Sequence, residues 1–233
     1  METTLPAEPI RMISSMATKE VLAELAAQYQ RASAHRVELK SAGGVEVAKT
    51  VHSGAVVDVV VLAAKAIDQL TADGKLAPGR VDLVRSGIAL ATKAGAAKPD
   101  ISSEQAVREA VLTARTLGYS TGPSGVYLLG LFERWGILEQ VRSRIVQAPP
   151  GVPVGSLVAR GEVDLGFQQL SELMHMQGIT VLGPLPDAIQ SLTTFSAAVS
   201  ATSAQVDSAR ALIAFMAAPA AAALKRAHGM EAA

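Results

Sequence analysis

The feature that most constrains this 233-residue chain is a repeated alternation. Short apolar strand patterns run, through small polar residues or glycine, straight into amphipathic helices. Residues 10–13 read as a buried strand. From 18 to 32, apolar residues at Val21, Leu22, Leu25, Ala26 and Tyr29 follow helical spacing, with Thr18 the expected N-cap and Glu20 in the first turn. Residues 36–39 and 58–62 repeat the strand pattern. Residues 45–51 and 64–72 repeat the helical one, and Gly74 is its stop signal. The run Asp58-Val59-Val60-Val61-Leu62 is apolar almost without a break, as in a strand covered on both faces of a parallel sheet. The expected class is α/β, with mainly parallel strands and helices on both faces.

Two long extended patterns interrupt this alternation, at 84–92 and 193–200. Between them lie a turn at Lys98-Pro99-Asp100, helices at 104–112, 125–135 and 154–159, and strands at 117–119, 144–146, 163–168 and 179–182. Helices at 204–216 and 220–227 close the chain. The extended patterns are long enough to cross between lobes, and they bracket a block of about 100 residues, a compact-domain size. The expected division is therefore 8–85 with 196–233 as lobe 1, and 86–195 as lobe 2. Such a hinge arrangement suits closure around a ligand.

Three strand-to-helix junctions carry the chemistry: Ser14-Ser15-Met16-Ala17-Thr18, Ser41-Ala42-Gly43-Gly44, and Tyr119-Ser120-Thr121-Gly122-Pro123-Ser124-Gly125. Each is expected to place backbone N–H groups and hydroxyls at the positive end of a helix dipole, which favours an anion. Two arise from lobe 1 and one from lobe 2.

Composition removes other classes. Lysine and arginine number 21 and aspartate and glutamate 21, so no basic surplus marks a nucleic-acid partner. Aromatic residues make up only 3%, too few for stacking on single strands. The absence of cysteine excludes disulfides, zinc–thiolate sites and cysteine nucleophiles. His35, His52, His175 and His228 are scattered without metal-ligand spacing, and Met174-His175-Met176 is too short for a copper site. No Walker loop or dinucleotide fingerprint occurs, so no metal and no cofactor is expected. Gly122-Pro123-Ser124-Gly125 lacks the Gly-x-Ser-x-Gly spacing of a nucleophile elbow. No run of about 18 apolar residues occurs, so no membrane insertion is expected. Residues 1–9 are polar and proline-bearing, without a basic-then-apolar leader. The expected location is periplasmic if a leader has been removed and cytoplasmic if this N-terminus is native.

The chain resembles the type II periplasmic binding proteins, in the molybdate-binding-protein-like branch of solute receptors. The carriers are Ile13-Ser14-Ser15-Met16-Ala17-Thr18-Lys19, Ser53-Gly54-Ala55-Val56-Val57-Asp58 running into the third strand, Val84-Arg85-Ser86-Gly87-Ile88, Gly122-Pro123-Ser124-Gly125-Val126-Tyr127, and Leu165-Gly166-Phe167-Gln168-Gln169. The resemblance implies a two-lobed fold with two interlobe crossings and an anion held in the interlobe cleft. By position it implies ligand contacts at Ser14 or Ser15, at Gly43 and Gly44 through backbone N–H, at Ser124, and around Val152. The aromatic hydroxyl of molybdate receptors would fall near Gln169. Arg85 and Ser86 on the crossing, Tyr119, and Gln168 complete the candidate ligand-binding set. Arg85 offers a guanidinium fork that matches a carboxylate, which favours an organic carboxylate over molybdate.

Two function classes follow. One is a solute-binding protein that delivers a small anion, a carboxylate or oxyanion with molybdate or tungstate as the lesser alternative, to an ABC-type permease, or a related sensor. The other is an isomerase of an unsaturated polycarboxylate such as aconitate, because the branch includes aconitate-isomerase-like members. Moving a double bond needs a base of tuned pKa and donors that stabilise the developing charge. Tyr119, Glu172, Glu46 and Asp58 are the candidate bases, by proximity to the motifs alone.

Overall fold

A computed structural model describes residues 8–233. Most of the polar start read at 1–9 lies outside the described residues. The elements run β1 (Ile10–Ser15), α1 (Lys19–Ala32), β2 (Val37–Ala42), α2 (Gly44–His52), β3 (Val59–Ala63), α3 (Ala64–Ala72) and β4 (Val81–Lys93). They continue with α4 (Glu104–Thr113), β5 (Leu117–Tyr119), α5 (Pro123–Arg134), α6 (Leu138–Val141), β6 (Ile145–Gln147), α7 (Val154–Arg160), β7 (Leu165–Gln169) and α8 (Leu170–Leu173). The chain ends with β8 (Ile179–Pro184), β9 (Leu192–Val199), α9 (Val206–Ala217), α10 (Ala222–Ala227) and β10 (Glu231–Ala232). It divides into two compact units. The first comprises the residues up to Val84 with Thr194–Ala227 and Glu231–Ala233; the second comprises Arg85–Thr193 with His228–Met230.

In the first unit the strands stand in the order β2-β1-β3-β9. β1 is parallel to both neighbours, and β9 is antiparallel to β3. The unbroken apolar run explains the central place of β3: Val59, Val60 and Val61 are wholly buried. Asp58, just before β3, is a structural carboxylate. It accepts the Arg11 N–H at 2.8 Å and the Ser203 hydroxyl at 2.7 Å, at the opposite end of β3 from the helix starts.

The second unit is ordered β4-β7-β5-β6, with β8 on the free side of β4. β5 is parallel to β6 and β7, while β4 is antiparallel to β7 and β8. The core joins Ile88, Leu90, Val107, Val111, Phe132 and Phe167. Phe132 meets Phe167 edge-on, with centroids 6.3 Å apart. Gly118 of β5 and Gly166 of β7 are register partners, and α7 settles over this bare patch. A Cβ on Gly166 would come within 2.5 Å of Val158, and one on Gly118 within 2.8 Å of Val163.

Two local expectations are corrected. Thr18 is not a side-chain cap; Ser15 caps a 3₁₀ turn at Met16–Thr18 by accepting the Ala17 N–H at 3.2 Å, and the Thr18 hydroxyl donates back to Ser15 O. The helix read from 125 begins at Pro123, whose missing N–H and fixed φ suit a first helical position.

Candidate functional site

The parallel register of β1 and β2 sets Ser14 opposite Ser41. Both strands end there, so two helix starts open side by side. The Ser14 and Ser41 hydroxyls share a hydrogen bond of 2.8 Å, and Ser14 is wholly buried. Ser15 lies next in the chain with its hydroxyl turned to the Ala17 N–H. At the second junction Gly43 precedes α2 with no side-chain cap, and Gly44 is its first residue. A Cβ on Gly44 would meet only Leu62, at an ordinary 3.8 Å. This end of the unit therefore gathers hydroxyls and helix-start amides with no ionised side chain among Ser14, Ser15, Ser41, Gly43 and Gly44. Neutral donors of this kind suit an anion without fixing its proton count. The sequence places Ser41 in its junction but not in the ligand-binding set, because its pairing with Ser14 depends on register, which a single strand does not reveal.

In the second unit, β5 and β7 also end at one edge. At the end of β5, Tyr119 is half-buried, and Ser120 lies within 3.3 Å of both the Ser124 hydroxyl and the Gly122 N–H. Ser124 sits in the first turn of α5 and is 2% exposed. Gly125 is required here: a Cβ would stand 1.9 Å from Ser120 O and 2.6 Å from the Tyr119 ring. The Gly125 N–H turns back to Gly122 O, and Pro123 has no N–H to offer. Val152 closes a turn by donating its N–H to Pro149 O at 3.0 Å.

The two glutamines at the end of β7 go to different partners. Gln168 accepts the Gly155 N–H at 3.3 Å and donates to Glu172 Oε1 at 2.7 Å. Gln169, oriented so that both amide ends are satisfied, donates to Ser86 O at 3.0 Å and Gly87 O at 3.2 Å, and accepts from the Thr193 hydroxyl at 3.0 Å. It thereby ties β7 to β4 and to the start of β9. Ser86 is buried beside Ser171, with the hydroxyls 3.4 Å apart, whereas Arg85 is exposed. Alternation along β4 separates these two neighbours.

Of the candidate bases, Glu172 has the distinctive environment. Desolvation pushes its carboxyl up to about 7, against the lowering influence of the Gln168 hydrogen bond. Glu46 is exposed in the first turn of α2. Among the described residues no group of three or more His, Cys, Asp or Glu side chains is placed to hold a metal ion. His175 and His228, far apart in sequence, do meet: Nε2 of the first lies 3.2 Å from Nδ1 of the second. A depression of about 740 Å³ lined by Thr92, Lys93, Lys98, Asp100, Arg115 and Asp164 lies at the start of β7, away from the junctions.

The decisive comparison is with a family model. The model for bacterial extracellular solute-binding proteins matches residues 10–231. The chain belongs to that family. A relative, an aconitate isomerase from Pseudomonas sp, is 35% identical over 219 residues, which is 91% of this chain and 83% of the relative. Among solved structures, the periplasmic molybdate-binding protein of Azotobacter vinelandii matches with a TM-score of 0.79 and 24% identity, over 95% of this chain and 98% of its own. The tungstate ABC transporter protein of Geobacter sulfurreducens matches with a TM-score of 0.75 and 16% identity, over 93% and 97%. These likenesses establish the shared α/β fold of the solute-binding family. They also agree with the resemblance read from the sequence.

Proposed function

We propose that this protein binds a small anion, a carboxylate or oxyanion, at helix-start donors: Ser14, Ser15, Gly43 and Gly44 in the first unit, and Tyr119 and Ser124 in the second. The observation that carries the reading is that paired parallel strands in each unit end together, so hydroxyls and helix starts cluster at one edge of each sheet. That edge is where α/β domains hold ligands. On this reading the protein acts outside the cytoplasm and delivers the anion to an ABC-type permease, a role that membership of the solute-binding family supports. A panel of melting temperatures with cis- and trans-aconitate, citrate, sulfate, molybdate and tungstate tests this. A stabilising anion supports the reading, and no shift with any of them contradicts it. Arg85→Ala separates the ligand classes: weakening of a carboxylate by about tenfold or more is expected if the guanidinium grips it.

The second reading is an isomerase of an unsaturated tricarboxylate. It is favoured by the extent of identity to the aconitate isomerase and by a desolvated carboxyl at the strand edge that carries Tyr119 and Ser124. Following aconitate by proton NMR tests it: interconversion of cis and trans forms supports the enzyme, and an unchanged spectrum leaves binding alone.

A further inference from the structure

Glu172 stands in the short helix α8, directly after the C-terminal end of β7. Its Oε1 takes the Gln168 amide at 2.7 Å. The far end of that amide is fixed by the Gly155 N–H, so Gln168 presents its NH₂ to the carboxyl and not its oxygen. Oε2 has no hydrogen-bond partner among the described residues, and it is not sealed from solvent, because the sealed and unpartnered side-chain atoms there are His35 Nδ1 and Thr92 Oγ1. No cation pairs with the carboxyl among the described residues. One oxygen is therefore held and the other lacks a protein partner among the described residues, just past the end of β7, which runs parallel to the β5 strand that leads into the Tyr119–Ser124 junction.

We infer that Glu172 is a catalytic residue, carrying a proton between the two outer carbons of the allylic unit of a bound unsaturated polycarboxylate. The inference rests on the isomerase reading above. The Glu172 carboxylate takes a proton from the CH₂ beside the double bond. The C–H electron pair spreads over three carbons and into the adjoining carboxylate, where hydroxyl and N–H donors stabilise it. The carboxyl then returns a proton to the far carbon. One C–H bond breaks and one forms, the double bond moves, and nothing is oxidised or reduced. Rotation about the bond that loses double-bond character interconverts the cis and trans forms.

The surroundings suit proton exchange near neutral pH. α8 packs against β7, α7 and β8. It meets β4 through Ser171 beside Ser86 and Leu173 beside Ala89 and Ala91, and Gly229 lies against Leu170 and Met174. The charged neighbour of Ser86 on β4 is Arg85, which is exposed. β7 and β8 carry no titratable side chain; α7 carries Arg160, which pairs with Glu162. Beyond α8, His175 is engaged with His228. Burial alone raises the carboxyl, to about 7, where a general base is most effective at neutral pH.

The test follows cis-aconitate by proton NMR with the full chain and with Glu172→Gln between pH 5 and 9, alongside melting temperatures with and without aconitate. The wild-type kcat is expected to rise to a plateau through an apparent pKa of about 7. Glu172→Gln is expected to lose about 100-fold or more in kcat while keeping KM and the aconitate-induced melting shift. Glu172→Asp should recover part of the rate. A Glu172→Gln rate within about threefold of wild type overturns the assignment and leaves the isomerase reading standing. A wild-type rate flat across this pH range does the same, and that measurement does not depend on any variant folding. A wild-type protein that leaves aconitate unchanged overturns both.

Discussion

Single residues decide how donors are presented. Ser14 is buried with its hydroxyl on Ser41, so Ser14→Ala removes both a protein bond and a proposed ligand donor. Calorimetry is expected to record about tenfold weaker anion binding, and about tenfold weaker binding for Ser124→Ala measured by itself. A variant that binds as wild type does removes its residue from the proposal. Gly125→Ala drives a Cβ into Ser120 O, and a loss of about 1–3 kcal/mol in denaturant unfolding is expected. Gly44 is the opposite case. Its Cβ position is open, so Gly44→Ser should fold with a stability within about 1 kcal/mol of wild type and add a hydroxyl beside Ser14. Glu172 also links pH to stability. An unfolded glutamate titrates near 4.5, and burial holds the folded group up to about 7, so folding penalises the ionised form. Below the unfolded value both states are protonated and the penalty is absent. It grows as pH rises between the two values and is complete above the folded one. Its ceiling is about 3 kcal/mol. Melting temperature should therefore fall more between pH 5 and pH 8 in wild type than in Glu172→Gln; equal slopes would contradict the burial of this carboxyl.

Elements differ in how far their sequence reveals them. The run at β3 and the five apolar positions of α1 are strong periodic signals, and both elements form where they were read. The α5 start was obscured because Gly122-Pro123-Ser124-Gly125 reads as loop, although proline is at home in a first turn. The four residues of α6 are too few to show a helical period. The site was legible as a set of junctions, because serine and glycine after a strand have a local meaning. Its pairings were not legible. Ser14 with Ser41 depends on register, and Gln168 with Gly155 depends on α7 lying against β7. That packing depends in turn on Gly118 and Gly166. Gly166→Ala should push Val158 away and lower stability by about 1–3 kcal/mol, read as a shift in denaturant midpoint at constant slope.

At the scale of the molecule, two units of one α/β plan each end paired parallel strands in a cluster of hydroxyls and helix starts, and the chain belongs to the bacterial extracellular solute-binding proteins. The composition fits that plan: an aliphatic chain with as many acids as bases leaves recognition of an anion to oriented neutral donors. The central claim is that these donors hold a small anion, with an organic carboxylate preferred over molybdate because Arg85 offers a guanidinium fork. Isothermal titration of the full chain with cis-aconitate and with molybdate under the same buffer tests it most directly. Saturable one-to-one binding of the carboxylate, at least about tenfold tighter than molybdate, is the expected result. Tight binding of molybdate with no heat from the carboxylate would contradict it.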